Sequence, residues 1–173
     1  NVAAAEITRC VLERDDKVRI LDADALNIIA GEHIDYKGSR EGQIIITPHI
    51  MEMSRLTGKT VADIKEHMIE SAKEYAIQHS CICILKDART VVTDGQKVYI
   101  NCTGNDGMST GGCGDVLTGL IAGMTAMGLD AFEAACLSVY VHGKAGDYAA
   151  SGKGRAGMTA ADISEAIAYV LKR

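Results

Sequence analysis

The chain has 173 residues, so one domain spanning 1–173 is the expectation. It is 47% hydrophobic and 24% charged, the balance of an ordinary globular protein, and its core must rest on aliphatic residues because aromatics make up 4% and Trp is absent. A net charge of −5, no basic block and few stacking side chains argue against a nucleic-acid partner. No apolar run reaches membrane-spanning length and no signal peptide is read, so the expectation is a cytoplasmic protein with no membrane segment.

Residues 2–15 carry helical spacing, with Ala3, Ile7, Val11 and Leu12 on one side. Val18-Arg19-Ile20-Leu21 reads as a short strand ending at Asp22-Ala23-Asp24, followed by a helix over 25–30 that Gly31 stops. Asp22 and Asp24 could hold Mg²⁺ through water, but helix capping is the favoured reading. Ile44-Ile45-Ile46 is a second strand, ended by Thr47-Pro48-His49, and a short helix over 51–56 closes at Gly58. Thr60-Val61-Ala62-Asp63 resembles a capping box opening a helix to about residue 78. Residues 81–85 form a third strand on which Cys81 and Cys83 share a face, and Lys86-Asp87-Ala88-Arg89-Thr90 follows it. Asp94-Gly95 between two β-prone runs signals a hairpin. Asp130 and Thr159 each cap a later helix, the first running to about 150 and the second to about 171. On the first of these, Gly143 and Gly146 point to close helix packing and His142 to a structural role. The six cysteines form no C-x-x-C pair and no zinc spacing, and are read as buried free thiols.

The run Thr110-Gly111-Gly112-Cys113-Gly114-Asp115 is the richest segment for chemistry. Its glycines permit turns that a side chain would block, and it leads into a helical stripe of Val116, Leu117, Leu120, Ile121, Met124 and Met127. A helix start offers unpaired N–H groups and positive dipole, hence an anion site, and Asp115 stands at its lip as a candidate general base. Short apolar strands alternating with helices predict an α/β fold, a mostly parallel sheet with helices on both faces plus a β-hairpin. In such sheets ligands bind beyond the carboxyl ends of strands, where Asp22, His49 and Lys86 fall, so these segments are expected to converge with the glycine loop.

Several segments in order resemble the nucleotide-dependent NAD(P)H-hydrate dehydratases of the ribokinase-like superfamily. They are LDADALN (21–27), ITPHIMEMSRLTG (46–58), LKDART (85–90), TGNDGMSTGGCGDVLTGLIAGMTAMG (103–128), VHGKAGDYAA (141–150) and residues 157–162. The resemblance implies a repair enzyme in which ADP or ATP phosphorylates the hydroxyl of hydrated NADH or NADPH, and loss of phosphate restores the nicotinamide double bond. Asp115 matches the catalytic residue that contacts the hydrate, and His49 matches a second hydrate contact. Gly114 and Lys86, Asp87, Ala88, Arg89 and Thr90 match nucleotide contacts, with Asn105, Gly111 and Gly112 assigned beside them. Mg²⁺ is expected because phosphoryl transfer needs charge neutralisation, with its ligands unassigned. A homo-oligomer, a tetramer by the resemblance, is implied. Two departures stand out. Lys86-Asp87 replaces the family's Lys-Gly, adding negative charge beside a nucleotide. The family's N-terminal region has no counterpart before Asn1, so a separate piece or upstream segment is expected to supply it, or oligomer contacts to cover the gap. The alternative readings are a ribokinase-like kinase of a vitamin precursor and a non-catalytic nucleotide-binding module.

Overall fold

The computed structural model describes residues 2–14, 16–39 and 43–172. They group into two compact units, 1–100 and 101–173.

The first unit holds a five-stranded sheet in the order β1 (Arg19–Leu21), β2 (Ile44–Ile46), β3 (Ile82–Leu85), β4 (Val91–Thr93), β5 (Val98–Ile100). The first three strands are parallel, with Leu21 beside Ile46 and Ile46 beside Cys83. β3–β4 and β4–β5 are antiparallel, and the expected hairpin lies between β4 and β5. Asp94 Oδ1 closes its turn by accepting from the Gln96 and Lys97 N–H groups, and Gly95 supplies a φ of 96°.

Five helices accompany the sheet: α1 (Val2–Leu12), α2 (Asp24–Gly31), α3 (Ile50–Thr57), α4 (Val61–Glu66) and α5 (Met68–His79). Leu21, Ile44, Ile46, Cys83, Leu85 and Val91 from one face of the sheet share a core with Leu26, Met53, Ile64 and Ala76. Ile45, Ile82, Ile84 and Val92, which alternate with them along the strands, are also buried. Burial on both faces explains why these strands read as continuous apolar runs. The buried Arg19 donates from Nη1 to the Leu12 carbonyl at 2.7 Å, satisfying the end of α1.

Two expectations change in this unit. α1 turns Ala5, Thr8, Val11 and Leu12 inward, and Ala3 and Ile7 lie exposed, so the inward face is rotated from the predicted stripe. The helix predicted from 61 to 78 breaks at His67, whose φ of −126° and ψ of 48° leave the helical region and separate α4 from α5. The Thr60–Asp63 capping box is present as expected.

The second unit comprises a single-turn 3₁₀ helix (Asp106–Met108) and three helices, α6 (Cys113–Ala126), α7 (Ala131–Lys153) and α8 (Ala160–Val170). α7 packs against α6 and α8. Cys113, Ala145, Ala149, Met158, Ile163 and Ala166 form a buried cluster. The predicted α6 stripe holds at Leu117, Ile121 and Met124, but Met127 is 76% exposed. It lies past the last helical residue, where Gly128 turns the chain with a φ of 91°. Asp130 caps α7 through its Oδ1, as predicted.

Cys81, Cys83 and Cys113 are buried and all six cysteines are free, but Cys10 and Cys102 are exposed, against the expectation of buried thiols throughout. Burial pushes the Cys81 thiol up to about 12. Among the described residues no helix is long and apolar enough to cross a membrane.

Candidate active site

In the first unit, the polar residues predicted at strand ends gather at the carboxyl ends of β1, β2 and β3. Lys86 continues β3 by bridging to His49, and its N–H donates to the Pro48 carbonyl at 2.8 Å. Its Nζ donates to Asp22 Oδ1 at 3.0 Å, with both side chains largely buried. The same oxygen accepts the Ala23 N–H at 2.9 Å. Asp22 is therefore not the side-chain cap expected for α2. The N-cap position is Ala23, which makes no side-chain cap. Ala23 adopts a φ of 49° with ψ of −112°, a strained conformation for a residue with a Cβ. Strain of this kind collects at functional sites, and nothing in the composition of LDADALN signalled it.

His49 caps α3. Its Nδ1 accepts the Glu52 N–H at 3.1 Å, and Glu52 Oε2 accepts the His49 N–H at 2.8 Å. The proton of the neutral ring then belongs on Nε2, which lies 3.5 Å from Glu52 Oε1, and the imidazole remains half exposed. Asn27 of the same motif donates to the Ala23 carbonyl and accepts from Arg55, two contacts absent from the sequence reading. Asp87, Ala88 and Arg89 form an exposed bend after Lys86, and Thr90 Oγ1 returns a 3.3 Å bond to the Asp87 carbonyl.

In the second unit, Asn105, Gly111, Gly112, Gly114 and Asp115 occupy one continuous loop and helix start. Gly112 is the N-cap of α6 and takes a φ of 88°, the left-handed region that favours glycine. The first regular helical bond runs from the Val116 N–H to the Gly112 carbonyl at 3.1 Å. The N–H groups of Gly114 and Asp115 precede it, and the glycine cap has no side chain to offer them. α3, α4 and α7 instead cap themselves with side chains. A side chain at Gly111 would meet nothing within 4 Å, so the loop surface there is open. Asp115, the third residue of α6, is exposed. Uncapped amides, helix dipole and an accessible carboxylate in one turn can hold an anion and take a proton from a neighbouring hydroxyl.

The segment before the glycine run is clamped to α7. Gly143 and Gly146 are close-packing positions as expected, but against this loop rather than another helix. A Cβ on Gly143 would lie 2.1 Å from Thr103 Oγ1, and one on Gly146 would lie 2.3 Å from Met108 Sδ. His142 is buried on the same helix. Among the described residues no three His, Cys, Asp or Glu side chains gather into a metal cage.

A sequence profile of the NAD(P)H-hydrate dehydratase family matches residues 1–169. The chain belongs to this family. It is 45% identical over 172 residues to the bifunctional NAD(P)H-hydrate repair enzyme of Moorella thermoacetica, covering 98% of this chain and 32% of that one. It is 34% identical to the ADP-dependent (S)-NAD(P)H-hydrate dehydratase of Neisseria meningitidis, covering 99% of this chain and 59% of the relative. The chain thus spans from about a third to three fifths of the curated relatives it matches. The ADP/ATP-dependent NAD(P)H-hydrate dehydratase of Bacillus subtilis, co-crystallised with ATP/Mg²⁺, superposes with a TM-score of 0.86 at 31% identity. That match covers 98% of this chain and 59% of the other. The ribokinase-like fold is shared with an Enterococcus faecalis protein of that superfamily, at a TM-score of 0.85 and 26% identity over 98% of this chain and 58% of that one. The predicted family and fold class are both borne out.

Proposed function

We propose that the protein uses ADP or ATP to dehydrate the S form of hydrated NADH or NADPH, restoring the reduced nicotinamide. The observation that carries this reading is the start of α6, where an uncapped glycine turn places main-chain N–H groups beside the exposed Asp115. Relatives whose names describe ADP-dependent hydrate dehydration and hydrate repair support the choice of substrate.

In this reading the amides of Gly112, Gly114 and neighbouring residues hold the transferring phosphate, and Lys86–Thr90 and Asn105 serve the nucleotide. Asp115 accepts the hydroxyl proton as that oxygen attacks the terminal phosphorus and the P–O bond to the departing nucleotide breaks. The phosphorylated hydrate then loses phosphate from the carbon that bore the hydroxyl and a proton from its neighbour, forming the double bond. His49, with its half-exposed ring, is a hydrate contact.

Mg²⁺ would neutralise phosphate charge during transfer. Such an ion would arrive on the nucleotide phosphates and take one or two carboxylates and waters, the usual mode for Mg²⁺. The remaining elements of the reading are a single functional domain over 1–173, a homo-oligomeric assembly and a cytoplasmic location.

The test is incubation of the protein with hydrated NADH or NADPH, ADP or ATP, and Mg²⁺. Recovery of reduced-nicotinamide absorbance with release of inorganic phosphate supports dehydration. A stable phosphate ester from a different acceptor would move the protein to the small-molecule kinases, and nucleotide binding without turnover would make it a binding module.

A further inference from the structure

Asp147 lies on α7, half-buried, and directs both of its carboxylate oxygens at the loop that precedes the glycine run. Oδ2 accepts the Gly104 N–H and Oδ1 accepts Asn105 Nδ2, each at 3.1 Å. The second bond orients the Asn105 amide. With its nitrogen committed to Asp147, its Oδ1 accepts the Gly107 N–H at 3.1 Å and starts the 3₁₀ turn. Gly104 is held at a φ of 99°, so the bond to its N–H fixes a residue with few conformational restraints of its own.

The contacts around Asp147 make this a seat rather than a chance pair. Two helical turns earlier, Thr103 Oγ1 donates to the Tyr140 carbonyl at 3.0 Å, and the bare Gly143 lies against the same threonine. Met108 lies over Gly146, and Asp106 pairs with Arg155 at 3.1 Å. Loop 103–108 is thus fastened along α7, and two residues beyond it the chain enters the Thr110–Asp115 run.

We propose that Asp147 is a positioning residue for adenine-nucleotide binding, acting through Gly104 and Asn105. This rests on the reading of Asn105 and the glycine run as nucleotide-binding. The carboxylate faces two N–H donors and so cannot be replaced by an amide without setting one N–H group against another. Its charge makes the prediction one of sign. An acid near a bound polyphosphate repels it, so neutralising the acid would tighten binding if Asp147 acted only as a charge. Positioning predicts the reverse.

The test is Asp147→Asn, read by calorimetric titration with ADP and Mg²⁺ and by backbone amide exchange at Gly104 and Gly107. The expected result is a Kd for ADP raised by about tenfold or more, with faster exchange at both glycines. Ile121→Val, which opens a small cavity at a fully buried position of α6 two helical turns past the glycine run, controls for lost stability and is expected to leave the Kd unchanged. Asn105→Asp combined with Asp147→Asn exchanges the donor and acceptor roles and is expected to restore protection at Gly104. Unchanged or tighter ADP binding in Asp147→Asn overturns the positioning role, as does a double variant in which Gly104 stays as exposed to exchange as in the single. A parent protein that binds no ADP overturns the nucleotide reading itself and this role with it. Normal parental binding with an insensitive Asp147→Asn overturns only the latter.

Discussion

Lys86 and Asp22, 64 positions apart, are joined by a 3.0 Å bond from Nζ to Oδ1. The bond ties the end of β3 to the end of β1, and the same Asp22 oxygen holds the N–H of the strained Ala23. The ammonium that the nucleotide reading assigns to an anion is thereby held in place at the mouth of the strands.

Asp22→Asn keeps an oxygen for the Ala23 N–H and removes the charge facing Lys86. Because both side chains are largely buried, we expect a loss of about 1–2 kcal/mol, measured by equilibrium urea unfolding, and weaker ADP binding as the ammonium loses its fixed position.

Asp115→Asn retains size and the helix start but no longer accepts a proton at neutral pH. Turnover of the hydrate is expected to fall by at least about a hundredfold, with ADP affinity little changed, as read by single-turnover kinetics and calorimetry. Activity that survives this change would remove Asp115 from the role of base.

His49 serves as a cap whatever else it does. His49→Ala is expected to cost about 1 kcal/mol, and His49→Asn, which can still accept the Glu52 N–H, much less. If the exposed ring contacts the hydrate, both variants raise the KM for the hydrate alike, so stability and KM separate the two roles.

Gly143→Ala would drive its Cβ against Thr103, 2.1 Å from Oγ1 and 2.7 Å from the backbone carbon. Backbone yields poorly, so destabilisation of about 1–3 kcal/mol is expected, visible as a lower Tm. Gly111→Ala, which meets nothing within 4 Å, should leave Tm nearly unchanged and affect nucleotide binding alone.

The Asp162 carboxyl is held down to about 2, first by its bond from Lys153 and then by bonds from the Thr159 N–H and hydroxyl at the start of α8. Its folded value lies below the ordinary 3.8, so its contribution to stability is present above that value and fades as pH falls toward about 2. Thermal melts of the parent and Asp162→Ala should differ at neutral pH and converge as pH falls through this window.

Much of this was legible in the chain because the signals are local. Ile44-Ile45-Ile46 could only be a strand buried on both faces, the Thr60–Asp63 and Asp130 caps lie within a few residues of what they cap, and three glycines before an apolar helix mark a turn wherever it is placed. Such local signals also located Lys86, His49 and Asp115. They failed where neighbours decide the outcome. Ile7 has the spacing of an inward residue but lies on the outer side of α1, because the partners of that helix select the face containing Ala5 and Thr8. Met127 continues the apolar period of α6 one step past the point at which the chain turns.

By itself, then, the sequence determined the succession of strands and helices, the family and the position of the glycine turn that opens α6, since each depends on residues close along the chain. Tertiary structure alone decided that Lys86 is matched by Asp22 and that Asp147 holds Gly104 and Asn105. Each of these joins positions more than forty residues apart, and no period or propensity encodes which distant donor a given carboxylate will meet.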